Sequence, residues 1–284
     1  MENKIKITTS VLKAKKRRGN KITLLTAYDA PMANFIDEAG IDVVLVSDAV
    51  GTIGNGKPEA ISVTVDEMIY HTKAVRNGVK NSLVVTTLPF GTYTTIDEAI
   101  KTATRIMKEG TADAIHLEGT KKENEIIEAI VYSGIPVMGH IGITKQKIVR
   151  TGYIRIPGRK ANEAMELIKD AAAMEKSGAF AIIVECLPYR LSEIITGALK
   201  IPTISIGSGN KCDGQGLVLQ DMLGLYKEFT PKFLKVYADI SKDIISALTE
   251  FRTEVESGKF PGPEHTYNIE DKELEKLIMS LQQN

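Results

Sequence analysis

Three carboxylates in the sequence lie where a buried apolar run gives way to a loop: Asp48, Glu118 and Glu185. Short β-branched runs of this kind predict strands that are buried on both faces. Folds of the α/β class bind their ligands at the carboxyl ends of such strands, so the three acids are expected to share one mouth. Carboxylates at close range repel one another unless a cation or a shared proton is present. The pattern therefore predicts an oxygen-rich site that suits Mg²⁺.

Each acid taken singly also has a structural explanation. Asp48 precedes a Gly-rich loop, and a capping role fits it as well as chemistry does. Glu118 and Glu185 fit ion pairs equally well. Three acids at the same end of three strands favour a common site over three separate structural roles.

Other polar residues end the neighbouring predicted strands. Thr87 closes the third strand. His116 stands two residues before Glu118, so both side chains face one side of the strand while Leu117 faces the other. His140 ends the fifth strand and either faces the site or lies outside it.

The bulk composition excludes several classes of partner. The 284 residues include 36 basic and 36 acidic ones, which argues against nucleic acid or an anionic membrane as a partner. Every apolar run is shorter than the roughly 18 residues of a membrane helix. Cys186 and Cys212 make no disulfide framework and indicate a reducing compartment, so we expect a cytoplasmic protein. Cys186 alternates away from Glu185, which predicts packing, and the basic run Lys13–Arg18 is expected to be a solvated helix end.

Strand-like and helix-like segments alternate about eight times with no linker between them. The predicted strands are Ile22–Ala27, Val43–Ser47, Ser82–Thr87, Ala114–Leu117, Ile135–Ile141, Ala179–Val184, Ile201–Ile206 and a weaker Gly216–Leu225. The predicted helices include Asp29–Ala39, Thr64–Asn77, Thr95–Lys108, Glu123–Tyr132, Ala161–Lys176, Ser192–Leu199, most of Lys232–Thr253, and Asp271–Leu281. The alternation predicts an α/β protein with one (β/α)8 TIM barrel domain over residues 1–284 and a helical C-terminal extension.

Short motifs that carry a family resemblance run through most of the chain. They are Thr26–Asp29, Val44–Asp48, Val63–Val65, Tyr70–Thr72, Leu88–Phe90, Leu117–Gly119, Pro136–Gly142, Val184–Cys186, Gly207–Gly209, Asp213–Gln215, Glu254–Gly258 and Phe260–Pro261. In this order they resemble the ketopantoate hydroxymethyltransferase (3-methyl-2-oxobutanoate hydroxymethyltransferase) family. The resemblance implies a barrel of the phosphoenolpyruvate mutase/isocitrate lyase type. It also implies transfer of a hydroxymethyl group from 5,10-methylenetetrahydrofolate to 3-methyl-2-oxobutanoate, giving ketopantoate for pantothenate biosynthesis.

The resemblance implies roles for individual residues. Asp48 binds Mg²⁺, and the backbone of Ala49 holds the substrate. Glu118 belongs to the metal shell, and Glu185 is the catalytic base. The implied reaction is a metal-assisted enolisation followed by an aldol-type addition, with the folate as co-substrate. The family also implies a homo-oligomer.

Three positions depart from the family pattern. Thr87 stands in place of a second metal-binding Asp, His116 in place of a Lys that binds the substrate carboxylate, and Ala49 in place of a Ser. The first two changes remove one anion and one cation together, which indicates a retuned site. His116 either hydrogen-bonds the substrate carboxylate or binds the metal, and a metal bond would move the preference from Mg²⁺ towards Mn²⁺, Co²⁺ or Zn²⁺.

Three functions stay open on the sequence alone. The motif order favours hydroxymethyl transfer. Thr87 and His116 favour a divergent paralogue that runs another metal-dependent C–C bond reaction, as a lyase or aldolase, on a different 2-oxo acid. A non-catalytic barrel is the third, and the presence of Glu185 argues against it. The loop Gly51–Ser62 is either a lid or a surface loop, and a long basic loop is expected over Ile143–Arg159.

Overall fold

The structure is a computed structural model that describes residues 5–120, 123–144, 155–226 and 230–283. Eight parallel strands close into a barrel in which each strand pairs with its neighbours in sequence and the last pairs with the first. The strands are β1 (Ile22–Thr26), β2 (Val43–Val46), β3 (Leu83–Thr87), β4 (Ala114–Glu118), β5 (Val137–Gly142), β6 (Ala181–Glu185), β7 (Thr203–Ile206) and β8 (Gly214–Leu217). The predicted TIM barrel is confirmed.

Helices surround the strands. In the described part of the chain they are α1 (Thr9–Arg17), α2 (Ala30–Glu38), α3 (Val50–Ile53), α4 (Val65–Gly78), α5 (Ile96–Gly110), α6 (Asn124–Tyr132), α7 (Ala161–Lys176), α8 (Tyr189–Ala198), α9 (Leu219–Met222), α10 (Ile240–Glu256) and α11 (Asp271–Gln282). None of these helices has the length and apolar character needed to cross a membrane. The basic loop expected over Ile143–Arg159 falls mostly on residues 145–154, outside the described residues.

Capping side chains place the starts of several helices where the sequence predicts them. Thr64 and Glu67 form a capping box at the start of α4. Asp29 accepts a hydrogen bond from the backbone N–H of Met32 at the start of α2. Each cap satisfies an N–H group that the helix itself leaves without an acceptor.

Alternation along the strands sorts the apolar side chains into an inner and an outer core. The inner core takes residues from strands all around the barrel: Ile22, Leu24, Val43, Leu45, Leu83, Val85, Ala114, Met138, Ala181, Ile183 and Ile204. Intervening residues such as Ile115, Leu117 and Val184 pack with the helices. Residues that continue the inward series beyond the inner core therefore belong to the mouth of the barrel.

The eighth strand differs from the prediction. β8 begins at Gly214 and has four residues, and Leu219–Met222 is helical where the strand was expected to continue over Gly216–Leu225. A Cβ at Gly214 would lie 2.6 Å from the carbonyl oxygen of Ile22 on β1. Glycine therefore permits the close strand pairing that closes the barrel. Because β8 has glycines where strands usually have β-branched residues, its sequence predicts a strand only weakly.

The helix expected over Lys232–Thr253 begins only at Ile240. The backbone N–H of Tyr237 donates to the carbonyl of Met222, and that of Ile240 donates to the carbonyl of Leu223. These hydrogen bonds tie the segment before Ile240 to the end of α9 and replace the bonds that a longer helix would need.

The basic run Lys13–Arg18 ends helix α1 as predicted, and Lys13, Arg17 and Arg18 are exposed, but Lys15 and Lys16 are partly buried in ion pairs. Lys15 Nζ lies 2.5 Å from Asp42 Oδ1, and Lys16 Nζ lies 2.8 Å from Asp213 Oδ2. Leu12 on the same helix is fully buried in the inner core. Helix α1 therefore covers the amino-terminal end of the barrel and ties its lysines to the strand-leading aspartates.

Candidate active site

The carboxyl ends of four neighbouring strands place polar side chains directly above the inner core. They are Thr87 on β3, His116 and Glu118 on β4, His140 on β5 and Glu185 on β6. Each continues the alternation of inward-facing residues on its strand. All are buried except Glu185, which is half-buried. The structure thus gathers the predicted residues of these four strands at one mouth.

Four of these side chains touch in succession. Thr87 Oγ1 lies 2.9 Å from His116 Nδ1, and His116 Nε2 lies 3.2 Å from His140 Nδ1. His140 Nε2 lies 3.1 Å from Glu185 Oε2, although its N–H is not aligned with that oxygen for a hydrogen bond. His140 therefore faces the site, which was one of its two predicted positions. The two departures from the family pattern, Thr87 and His116, contact each other.

Asp48 and Glu118 are buried carboxylates that both lie near Tyr93. Burial raises the pKa of Tyr93 well above its usual range, and the negative charges of Glu118 and Asp48 raise it further. The Tyr93 hydroxyl also hydrogen-bonds with the backbone of Glu118. One hydroxyl thus lies within electrostatic range of both predicted metal ligands.

A second tyrosine lies beside Asp48. Burial raises the pKa of Tyr28 to about 12, the hydrogen bond from Ser47 opposes that shift, and the charge of Asp48 adds to it. The Tyr28 and Ser47 hydroxyl oxygens are 3.0 Å apart. Sequence reasoning missed both tyrosines as site residues. Tyr28 lies within the Thr26–Asp29 motif and could have been found there, whereas the residues around Tyr93 carry no such signal.

Ala49 connects Asp48 to the short helix α3, and its carbonyl accepts hydrogen bonds from the N–H groups of Thr52 and Ile53. The predicted contact between the Ala49 backbone and the substrate stays a prediction. The segment Gly51–Ser62 holds most of α3 and a 3₁₀ turn. Its role as a lid or a surface loop also stays a prediction.

The backbone on either side of Glu185 is tightly packed. Gly142 has φ +114°, and a Cβ there would lie 2.0 Å from the carbonyl oxygen of Glu185. Only glycine allows β5 to approach β6 so closely. Cys186 adopts a left-handed φ of 52° and donates its N–H to the carbonyl of Ile206 at 2.8 Å. Burial raises the pKa of the Cys186 thiol to about 12, which agrees with packing rather than nucleophilic chemistry.

The residues at the mouth fit a hard divalent cation. Two buried carboxylates whose charges act on the same hydroxyl offer oxygen ligands of the kind that a hard divalent cation prefers. Magnesium is commonly held by one or two carboxylates, with water and substrate completing its shell. Within the described ranges, no group of three His, Cys, Asp or Glu is arranged to hold a metal ion. Asp48 and Glu118 as the protein's ligands stay a prediction.

The barrel resembles solved structures at low sequence identity. Phosphonopyruvate hydrolase superposes with a TM-score of 0.60 at 14% identity, covering 98% of this chain and 96% of that one. A 2,3-dimethylmalate lyase, described as a member of the phosphoenolpyruvate mutase/isocitrate lyase superfamily, gives a TM-score of 0.57 at 13% identity. That match covers 97% of this chain and 99% of the lyase. At these identities the likeness concerns the fold, and it confirms the predicted barrel type.

Sequence comparison is more specific. A 3-methyl-2-oxobutanoate hydroxymethyltransferase of Clostridium botulinum (strain Alaska E43 / Type E3) is 47% identical over 274 residues, covering 96% of this chain and all of the relative. The enzyme of the same name from Enterococcus faecalis (strain ATCC 700802 / V583) is 48% identical with the same coverage. The profile of the family described as ketopantoate hydroxymethyltransferase matches residues 6–263. On this match, which spans nearly the whole chain, the protein belongs to the ketopantoate hydroxymethyltransferase family of enzymes.

Proposed function

We propose that this enzyme transfers a hydroxymethyl group from 5,10-methylenetetrahydrofolate to 3-methyl-2-oxobutanoate and so makes ketopantoate for pantothenate biosynthesis. Relatives of that printed name, 47% and 48% identical to this chain, support the reaction. The observation that carries the proposal is the contact between His140 and Glu185 at the mouth. This contact supports the proposal because the half-buried Glu185 carboxylate lies beside buried polar groups at the carboxyl end of the barrel.

Glu185 is the proposed base. The C3 proton of 3-methyl-2-oxobutanoate passes to a Glu185 oxygen, and the electron pair of the C–H bond moves into the enolate. Water hydrolyses both C–N bonds of the folate methylene group, so that its two protons go to the folate nitrogens and its oxygen goes to the one-carbon unit, which is formaldehyde. The enolate carbon then forms the C–C bond to that carbon, and the oxygen of the one-carbon unit takes the proton back from Glu185 and becomes the hydroxyl group. The difficult one-carbon chemistry belongs to the folate, so the protein has to bind, orient and transfer the proton.

Asp48 and Glu118 are the residues that would hold the divalent cation. When bound, the cation would supply Lewis-acid polarisation of the 2-oxo group, which acidifies the C3 proton. The backbone N–H of Ala49 would contact the substrate. Tyr28 and Tyr93 carry their hydroxyl protons at neutral pH, as tyrosines ordinarily do, and burial raises the pKa of each further. Each can donate a hydrogen bond towards an anion at the mouth. Magnesium is the proposed metal, and Mn²⁺, Co²⁺ and Zn²⁺ are the alternatives to test.

Thr87 and His116 are proposed to act at the substrate end of the site. Both ring nitrogens of His116 already lie within contact distance of other side chains. A bond from His116 to a metal ion or to the substrate carboxylate would therefore replace one of those contacts. This cost favours a role in shaping the site over a role as a metal ligand.

Ketopantoate formation tests the proposal directly. The purified protein is incubated with 3-methyl-2-oxobutanoate, 5,10-methylenetetrahydrofolate and each of Mg²⁺, Mn²⁺, Co²⁺ and Zn²⁺, and the product is measured by mass spectrometry. We expect ketopantoate from the wild type and from the surface control Glu193→Gln, with Glu185→Gln reduced about 10²- to 10⁴-fold. Absence of product with every metal would contradict the proposal.

The contact between Thr87 and His116 favours one alternative, another metal-dependent C–C bond reaction on a different 2-oxo acid. An altered pair beside the substrate can change which acid fits while Glu185 still acts as base. The two functions can be distinguished by incubating the enzyme with a panel of 2-oxo acids in D₂O without folate and measuring deuterium exchange at C3. Faster exchange with another acid than with 3-methyl-2-oxobutanoate would favour the alternative.

We also propose that the chain is one domain that assembles as a homo-oligomer. Helices α10 and α11 contain no buried residue, and each exposes a row of large apolar side chains. Ile245, Leu248 and Phe251 on α10 are each more than half exposed. Apolar surface of this kind is typical of subunit contacts. Sedimentation analysis should show a multimer that Leu248→Glu weakens, whereas a monomeric wild type would contradict the proposal.

A further inference from the structure

A continuous row of polar side chains crosses the mouth of the barrel and ends at the proposed base. Thr87, His116, His140 and Glu185 follow one another at 2.9, 3.2 and 3.1 Å. Each lies on the next strand around the barrel, from β3 to β6, and Thr87 and His116 are register partners. The row is thus supported by four rigid, hydrogen-bonded strands and contains no loop residue.

The side chains of the row differ in burial, and this difference shows which of them are fixed by packing and which can move. Thr87, His116 and His140 are at most 6% exposed, whereas the Glu185 side chain is 28% exposed. Buried side chains on adjacent strands have few alternative rotamers, because the packed interior leaves them no space. Glu185 has more freedom, and a small rotation of its carboxylate would align Oε2 with the His140 N–H. The row therefore meets its most movable member at Oε2 of the Glu185 carboxylate.

The donors and acceptors of the row form a consistent order that begins at the hydroxyl. An ionised Glu185 only accepts hydrogen bonds, so His140 must carry its proton on Nε2 to donate to it. Neutral His140 then accepts at Nδ1, which requires the proton of His116 to be on Nε2. His116 in turn accepts at Nδ1, and the Thr87 hydroxyl is the donor that this nitrogen needs. With both imidazoles as neutral Nε2–H tautomers, each donor faces an acceptor along the row, and the rotation of the Glu185 carboxylate completes the last hydrogen bond.

We propose that Thr87, His116 and His140 are positioning residues, which fix the orientation of the Glu185 carboxylate through this ordered row. The proposal deepens the function proposed above and rests on Glu185 being the base. The row holds Oε2 and presents the second oxygen, Oε1, to the C3 proton of the substrate. Thr87 lies at the far end of the row from the base, and its hydroxyl supplies the donor that stabilises the tautomer which the ionised Glu185 requires of His140 and His116.

Nitrogen-15 NMR of histidine-labelled protein tests the order of the row without substrate, folate or metal. We expect His116 and His140, assigned by comparing spectra of His116→Gln and His140→Gln, to show the pattern of neutral Nε2–H tautomers near neutral pH. Thr87→Val, which removes the hydroxyl and keeps the shape, should shift the His116 and His140 signals. A proton on Nδ1 of either ring, or spectra that Thr87→Val leaves unchanged, would overturn the proposal.

The matched control for the NMR test lies on the same strand. Thr86 faces away from the barrel interior, is fully buried, and hydrogen-bonds Thr72 Oγ1 at 3.0 Å. Thr86→Val therefore removes a buried hydroxyl from β3 without touching the row. It should leave the signals of both histidines where they are in the wild type. Shifts of equal size in Thr86→Val and Thr87→Val would mean that general loosening of β3, and not the row, causes them.

Kinetics provide the second test, because a misoriented base lowers kcat more than it raises KM. Glutamine can accept and donate in the same order as a neutral histidine, and serine retains the hydroxyl of threonine. We expect Thr87→Val and His140→Leu to lower kcat about tenfold or more, with His140→Gln and Thr87→Ser recovering part of the loss. Equal activity of the paired variants, or an effect confined to KM, would contradict the proposal. A wild type that makes no ketopantoate would instead remove the proposed function, and the NMR test of the row would still stand.

Discussion

The two ends of the barrel use carboxylates in opposite ways. At the amino-terminal end, Lys15 pairs with Asp42, Lys16 with Asp213 and Arg76 with Asp113, at 2.5, 2.8 and 3.0 Å. At the carboxyl end, Glu185 lies against a row of histidines, and the charges of Asp48 and Glu118 act on a tyrosine. A carboxylate paired with a lysine or arginine has its charge compensated within the fold. We propose that the carboxyl end instead presents negative charge to a cation and a base to the substrate proton.

The acids of the amino-terminal end also hold backbone groups. Asp42 Oδ2 accepts from the N–H of Thr23, and Asp213 Oδ2 accepts from the N–H of Thr203. Both hydrogen bonds fix the start of a strand. A residue that satisfies a lysine and a strand N–H together contributes to folding, whereas one that contacts only titratable or ligand-facing groups serves the reaction. Substitutions at the two ends should therefore separate stability from activity.

The largest effect on activity is expected at the carboxyl end. Glu185→Gln should lower kcat about 10²- to 10⁴-fold, because the amide cannot take the C3 proton. Its midpoint of chemical unfolding should change little, since the Glu185 side chain is half-buried and has no part in the inner core. Unfolding and kinetics are measured on the same preparation. A large loss of stability of Glu185→Gln with a normal kcat would contradict the assignment of the carboxyl end to activity and the amino-terminal end to stability.

The largest effect on stability is expected at the amino-terminal end. Asp42→Ala removes the carboxylate that accepts from both the partly buried Lys15 and the N–H of Thr23, and leaves Lys15 only the Lys21 carbonyl. The free energy of unfolding should fall by about 3 kcal/mol, with kcat of the folded protein unchanged. Asp66→Ala is the control, because its pair with Arg105 is exposed and the unfolding midpoint should stay where it is. Equal unfolding midpoints for the two variants would show that the ion pairs at the amino-terminal end of the barrel do not stabilise the fold.

A backbone change beside Glu185 should reduce activity by an intermediate amount. Gly142→Ala forces a Cβ to within 2.0 Å of the Glu185 carbonyl, so β5 and β6 must move apart and displace the carboxylate. A displacement near 1 Å lowers kcat about 10²-fold. Gly134→Ala isolates the steric cause, because Gly134 also has a positive φ, 88°, but opens into free space. Equal losses in both variants would assign the effect to backbone strain alone.

The smallest effect is expected at Tyr93. Tyr93→Phe removes a hydroxyl that contacts the backbone of Glu118 and lies near Asp48, while the ring stays packed. The concentration of Mg²⁺ needed for half-maximal activity should rise about tenfold, because groups that orient a ligand have effects of this size. Metal titrations of the variant and the wild type measure it. An unchanged requirement for Mg²⁺ would place Tyr93 outside the metal site.

Local patterns in the sequence predict most of the fold and part of the site. β-Branched runs and capping residues such as Asp29 and Thr64 act within a few neighbours, so they locate strands and helix starts well. The predicted extent of the eighth strand is wrong because β8 contains glycines, which let it pack closely against β1 and give no local strand signal. The pairing of Lys15 and Lys16 was missed because their partners are distant in sequence.

The contacts within the site depend on register rather than on local pattern. Alternation places His116 inward, but only the pairing of β3 with β4 brings it to Thr87. The same holds for His140, whose contact with Glu185 requires the pairing of β5 with β6. Strand ends therefore predict which residues reach the mouth, and the register of the closed barrel decides which of them touch.

Deuterium exchange at C3 of 3-methyl-2-oxobutanoate, in D₂O with Mg²⁺ and without folate, tests the central claim that the carboxyl end enolises the substrate through Glu185. The wild type and the folded fraction of Asp42→Ala should exchange the proton at the same rate. Glu185→Gln should exchange it at least about 10²-fold more slowly. The account would be contradicted if Glu185→Gln exchanged the C3 proton as fast as the wild type, or if the wild type did not catalyse the exchange.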